Sequence, residues 1–122
     1  MPEQNRNMKI TEEEKQAIDK VKIGKLVKNL MTLILEKDLI SENEIQNLLK
    51  KDYSKFTFNV IFPILKKVDE KTSLTENAMI NGNRRYYAKP IENNKTEYLL
   101  TNEWKEFHRE DFVKWLERKV KD

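Results

Sequence analysis

Cysteine is absent from this 122-residue chain, which excludes disulfides, thiolate metal sites and cysteine nucleophiles. Glycine is almost absent as well. Gly24 and Gly82 are the whole supply, and neither a phosphate loop nor a dinucleotide fingerprint can be built from them. The single histidine, His108, cannot assemble the common zinc constellations without a second histidine or a thiolate. No apolar run approaches the roughly 20 residues that a bilayer span requires, and the longest, around residues 30–35, is interrupted by Thr32. The first ten residues lack the apolar core of a secretory signal and read as a disordered lead-in. The expected compartment is the cytoplasm, which the lack of cysteine fits.

The motifs of catalysis are equally thin. No nucleophile-elbow pattern surrounds Ser41, Ser54 or Ser73. Ser41 and Ser54 are better placed as helix caps, and the acidic pairs Asp69-Glu70 and Glu110-Asp111 sit among lysines as solvated surface. His108 falls on an apolar stripe, four residues after Trp104, where a packed histidine is the expectation. The chain therefore reads as a binding protein rather than an enzyme, with no metal and no cofactor expected.

What is present is charge and aromatic content. Charged residues make up 37% of the chain, a composition that borders on disorder. The five Phe, four Tyr and two Trp, with periodic apolar positions, argue for a folded core of ordinary domain size. The net charge is only +3, but it is unevenly placed. Residues 1–49 hold 8 basic and 9 acidic groups, residues 50–89 hold 9 and 4, and residues 90–122 hold 7 and 8. A partner-facing surface is therefore sought in the middle third.

Thr11-Glu12-Glu13-Glu14 is a capping-box pattern. Ile18, Val21, Ile23, Leu26, Val27, Leu30, Leu33 and Ile34 follow at helical spacing, predicting a helix over 11–37 with Gly24 as a kink or close packing point. Ser41-Glu42-Asn43-Glu44 opens a second helix over 41–51, with Ile40 placed to staple against Ile45. The link at 38–40 has room for one short strand. Residues 54–68 are ambiguous: Phe56, Phe58, Val60 and Phe62 alternate as in a strand. Phe58, Ile61, Phe62, Leu65 and Val68 share a helical face. A third helix over 54–68 is preferred because Ile61 and Ile64-Leu65 break the alternation, although Pro63 then costs about 3 kcal/mol unless the helix bends. On that helix Lys55, Asn59 and Lys66 fall within about 40° of one another, opposite the core. Asn81-Gly82 marks a turn. Two strands of a hairpin are expected within 84–101, around a tip at 92–95, and a last helix over 102–120, capped by Thr101 or Asn102.

Three helices followed by a two-stranded hairpin resemble the winged helix-turn-helix superfamily, over about residues 18–101. The chain also resembles a bacterial module associated with phage and restriction proteins. Its pattern appears as Tyr53-Ser54-Lys55-Phe56-Thr57-Phe58, Pro63 with Leu65 to Lys67, Arg84 to Tyr87, and Trp104 with Phe112 and Trp115. The resemblance implies a mainly α fold with a small β-hairpin, one domain over 11–122, and a C-terminal helix added to the winged unit. It implies that the third helix enters the major groove and the wing touches backbone. Lys55, Asn59 and Lys66 then face the groove, where asparagine pairs with adenine and lysine with guanine or phosphate. Lys50, Lys51 and Lys67 contact phosphate, and Arg84, Arg85, Lys89 and Lys95 belong to the wing. Tyr86 and Tyr87 have the chemistry to stack on exposed bases, but ordinary sheet packing is the expectation. Double-stranded DNA is thus the expected partner of a small regulator or DNA-targeting module. The alternative is a protein-interaction module, or an inhibitor of a nucleic-acid enzyme, on the same fold. The first and last helices offer a two-fold interface, so a homodimer on palindromic sites is in view.

Overall fold

The computed structural model describes residues 20–120. The capping box at 11–14 and the lead-in over 1–10 lie outside the described residues. Helix α1 (Ile23–Glu36) buries Ile23, Leu26, Val27, Leu30, Met31, Ile34 and Leu35, the periodic face expected of it. The helix expected without a break over 11–37 is not continuous, because residues 20–22 are not helical. Its start is fixed from outside. The Ile23 amide donates to Glu106 Oε2 at 3.1 Å, and the Val21 carbonyl accepts from Arg109. Glu106 thus supplies the cap that Lys22, at the N-cap position, does not. The helix ends in a Schellman motif around Asp38 (φ 56), with Leu39 N–H donating to Ile34 O and Asp38 N–H to Leu35 O. No strand forms at 38–40.

Helix α2 (Glu42–Leu48) opens as expected, with the Ser41 hydroxyl accepting from the Glu44 amide at 3.0 Å. Leu49 and Lys50 turn the chain directly into α3 (Lys51–Phe58). The helix expected over 54–68 is overturned at both ends. Its start lies at Lys51, so Ser54 is not a cap but a buried residue of the helix interior. Its end lies at Phe58, because Asn59 adopts the left-handed region (φ 62). Ser54 explains the turn that follows: its hydroxyl donates to Leu48 O and accepts the Ile64 amide, pulling the chain back on itself. Pro63 therefore sits in an irregular segment where its missing N–H costs nothing. The helical period past Phe58 is fortuitous: Ile61 is 63% exposed, while Leu65 is buried from a strand.

Strand β1 (Leu65–Lys67) pairs antiparallel with β5 (Thr96–Leu100), which pairs in turn with β4 (Ile91–Asn93), giving the order β1-β5-β4. The segment between β1 and β4 holds α4 (Leu74–Asn77) and a two-residue ribbon, β2 (Met79–Ile80) with β3 (Asn83–Arg84). Asn77 organises that excursion. Its side-chain amide donates to Asp69 O and Ser73 O and accepts the Asp69 amide at 2.7 Å. The expected first strand near 84–91 is thus divided: Arg84 belongs to the ribbon, and only Ile91–Asn93 forms the hairpin. The hairpin tip is two residues, Asn94 and Lys95, rather than four. Buried Asn93 donates to Leu35 O and Asp38 Oδ1, fastening the hairpin to the end of α1.

After β5 comes a 3-10 turn (Glu106–His108) and α5 (Arg109–Lys119), in place of one helix from 102. Thr101 does not cap it; its hydroxyl donates to Arg85 O instead. Among the described residues the fold is thus mixed, five α-helices with a small antiparallel sheet, and no helix is long and apolar enough to cross a membrane.

Both tight turns have positive φ at their central residues, Asn81-Gly82 and Asn94-Lys95. Lysine is the misfit, since a side chain in the left-handed region costs roughly 1–2 kcal/mol. Lys95→Gly is therefore expected to stabilise the protein by about 0.5–1 kcal/mol, after the larger unfolded-state entropy of glycine is subtracted. The shift in urea midpoint measures it.

Candidate functional site

The exposed ones among the expected partner-facing residues lie on four parts of the surface. Lys50 precedes α3 as its N-cap, and Lys51 and Lys55 lie along the helix; all three are exposed. None of the three forms an ion pair among the described residues. Asn59 is exposed too, but it ends the helix rather than extending its face, and its carbonyl accepts from His108 Nε2. Lys67 and Lys95 line one depression of about 500 Å³ beside the hairpin, with Lys71 as a third cation. Four carboxylates share that depression: Asp69, Glu70, Glu92 and Glu97. Arg84 is exposed on the β2–β3 ribbon, and Lys89 lines a second hollow with Lys28 and Tyr87.

Two expected residues are committed to the fold. Lys66 is not on a helix at all: from β1 its ammonium donates to Asn77 O at 2.7 Å and lies over the Tyr86 ring. The grouping of Lys55, Asn59 and Lys66 on one helical face therefore fails, because the chain leaves the helix between them. Arg85 pairs with Glu103 at 3.6 Å and covers the Phe62 ring, so it is half-buried rather than a wing cation.

The tyrosines are mainly packing residues. Tyr86 is buried and its hydroxyl donates to Pro63 O at 2.8 Å. Tyr87 is half-buried with Lys28 over its ring, and its hydroxyl lies 3.4 Å from where a Gly24 Cβ would be. Gly24 is thus a close packing point within an unbroken helix. His108 is buried: Nδ1 accepts the Lys105 amide, Nε2 donates to Asn59 O, and the ring stands edge-on to Trp104. Those two bonds specify the neutral tautomer protonated on Nε2. No cluster of three or more potential metal ligands occurs among the described residues.

What holds α3 in place is an arrangement that no motif announces. Phe58, on its inner face, meets Trp104 edge-on at 6.0 Å and Trp115 at 5.5 Å. Next to this cluster the buried Glu44 carboxylate of α2 accepts from the Tyr53 hydroxyl of α3 and from Trp115 Nε1 of α5 at 2.8 Å. Lys119 approaches it at 3.7 Å. A capping box would turn the Glu44 carboxylate back to its own helix start, but here it is turned inward. A groove of about 370 Å³ separates α3 from α5 outside this contact, lined by Tyr53, Phe56 and Thr57 on one side and by Asp111, Lys114, Glu117, Arg118 and Lys119 on the other. Phe56, 93% exposed on α3, is not singled out by sequence reasoning. With helix bounds of 51–58, the inward pair Ser54 and Phe58 would have pointed it outward.

All four tyrosines are held above their ordinary pKa. Burial is the first cause for each; for Tyr53, pushed up to about 12, the hydrogen bond to Glu44 and its negative charge add to burial. Compared with protein-family models, curated proteins and solved structures, the chain matches none.

Two outcomes follow from the Glu44 contact. Glu44→Ala takes the acceptor from the Tyr53 hydroxyl, Trp115 Nε1 and the Asn47 amide and is expected to cost about 2–3 kcal/mol in urea unfolding, with Glu44→Gln milder. A phenol whose folded pKa lies above its unfolded value contributes stability that is complete below the unfolded value, near 10, and is lost above it. Stability should therefore fall as pH rises from 10 to about 12. Tyr53→Phe should make that fall shallower.

Proposed function

We propose that this chain is a winged-helix DNA-binding module that presents α3 to the major groove and the β4–β5 hairpin as its wing. The observation that carries this reading is the helix pair α2–α3. A two-residue turn joins the helices, and the outward edge of α3 holds Lys51 and Lys55, which form no ion pair among the described residues. The N-cap Lys50 makes no side-chain cap bond, and the first turn of α3 sets one carboxylate, Asp52, beside the two lysines Lys50 and Lys51. A net positive charge at a helix start suits a phosphate. The element order supports the same reading: a third helix leads into a sheet strand, and a hairpin completes the sheet. Lys50, Lys51 and Lys55 carry the main contact; the groove beside them is mixed in charge, holding Arg118 and Lys119 as well as Asp111 and Glu117, with Lys114 paired with Glu110. Lys67, Arg84, Lys89 and Lys95 are the outer contacts, and Asn59 meets the groove from the end of α3.

A second reading, a protein-interaction module, is favoured by the exposed apolar side chains. Phe56 is 93%, Ile61 63% and Phe107 63% exposed, and the hairpin cations stand among carboxylates. A gel-shift titration on random duplex DNA separates the two.

Neutralising about five phosphates gives a slope of roughly −4.5 in log affinity against log salt. A flat response, or no shift at low salt, would sink the DNA reading. Lys51→Glu and Lys55→Glu should each weaken binding at least tenfold, with unchanged melting. Lys66→Glu should instead lower the melting temperature, since its ammonium is a fold contact.

A further inference from the structure

We infer that the outward edge of α1 is a second track for the phosphate backbone of a duplex, formed by Lys22, Lys25 and Lys28 and continued by Lys89. The inference rests on the DNA-binding reading above and extends its contact beyond α3. Residues 20–35 hold four lysines and no acidic residue. All nine acidic groups of residues 1–49 lie outside that stretch, so a charge average over the whole segment conceals it. Folding sorts the stretch further. The apolar face of α1 is buried, and Lys22, Lys25 and Lys28 follow one another at three-residue steps on the exposed side, a spacing that sets helical neighbours on one edge. None of the three forms an ion pair among the described residues.

Lys28 lies over the half-buried Tyr87 ring at 5.1 Å. With Asn29, Thr32 and Lys89 it lines a hollow of about 330 Å³ between α1 and the chain entering β4, so the edge runs on into the hairpin side. Glu106 and Glu36 border it. Glu106, near Lys22, is engaged by the Ile23 amide and by Arg109, and Glu36 stands at the far end of the hollow. The exposed large apolar side chains, Phe56, Ile61, Leu74 and Phe107, all belong to other elements. Protein interfaces are depleted in lysine and built around buried apolar anchors, and a membrane-surface helix inserts an apolar face, which α1 turns to the core. A phosphodiester backbone is bound by charge alone. From Lys22 to Lys28 a helix rises roughly 9 Å, the axial length over which one strand of a duplex sets about three phosphates.

Anisotropy titrations of the full chain on a random duplex, across a salt series, test the track. Three contacts added to the roughly five counted above steepen the slope of log affinity against log salt from about −4.5 to about −7. Lys22→Gln/Lys25→Gln/Lys28→Gln is expected to return the slope to about −4.5, with the melting temperature of the wild type. Lys25→Gln alone, which leaves the contact of Lys28 with Tyr87 in place, should make the slope shallower by about 0.9. A charge-matched control, Lys37→Gln/Lys105→Gln/Lys114→Gln, should keep the wild-type slope. Equal slopes in the wild type and the α1 variant would overturn the inference while leaving DNA binding by α3 in place. Equal losses in the α1 variant and the control would also overturn it, because net charge and not position would then set the slope. Binding to phosphatidylserine vesicles that disappears in the α1 variant, with unchanged duplex titrations, would assign the edge to a lipid surface instead. Failure of the wild type to bind the duplex would overturn the inference together with the reading beneath it.

Discussion

One carboxylate sets the geometry on which the candidate surface depends. Glu44 lies on α2, accepts from a hydroxyl on α3 and from an indole on α5, and is almost wholly removed from water. A buried carboxylate is tolerated only when its lone pairs are engaged, so the three helices must stay where they can supply donors. Apolar contacts such as Phe58 with Trp104 and Trp115 give the cohesion but little direction. The charged hydrogen bonds add direction and so fix how α3 is rotated about its axis. That rotation decides that Ser54 and Phe58 face in and Lys55 and Phe56 face out.

Ser54 has a comparable role deeper in the same helix. With one oxygen it joins the end of α2, the middle of α3 and the approach to β1. A residue with such long-range partners leaves no local trace, which is why serine near a helix start reads as a cap. The same blindness explains the misreading of residues 59–68. Apolar spacing there fits a helix, and the deciding facts are an asparagine at positive φ and a strand partner some thirty residues away. Local periodicity carries no information on either.

Where the cause is local, the residues are legible. The α1 face, the Ser41 cap and the Asn81-Gly82 turn each follow from short-range chemistry and appear as expected. Of the candidate surface, Lys50, Lys51 and Lys55 are legible because their exposure at the start of α3 does not depend on where that helix ends. Lys66 and Arg85 are not, because their acceptors, Asn77 O and Glu103, come from other stretches of the chain. Phe56 escapes notice for a related reason. An aromatic side chain is assigned to the interior by default, and only the true end of the helix gives its phase.

The buried amide of Asn93 has a mechanical consequence. By clasping the last turn of α1 from the pair that closes the turn, it pins the hairpin at its tip and leaves no tethered arm. A flexible arm would gain contacts on association only by surrendering motion. This one has surrendered that motion during folding, so a load at Lys95 is transmitted straight into the longest helix described.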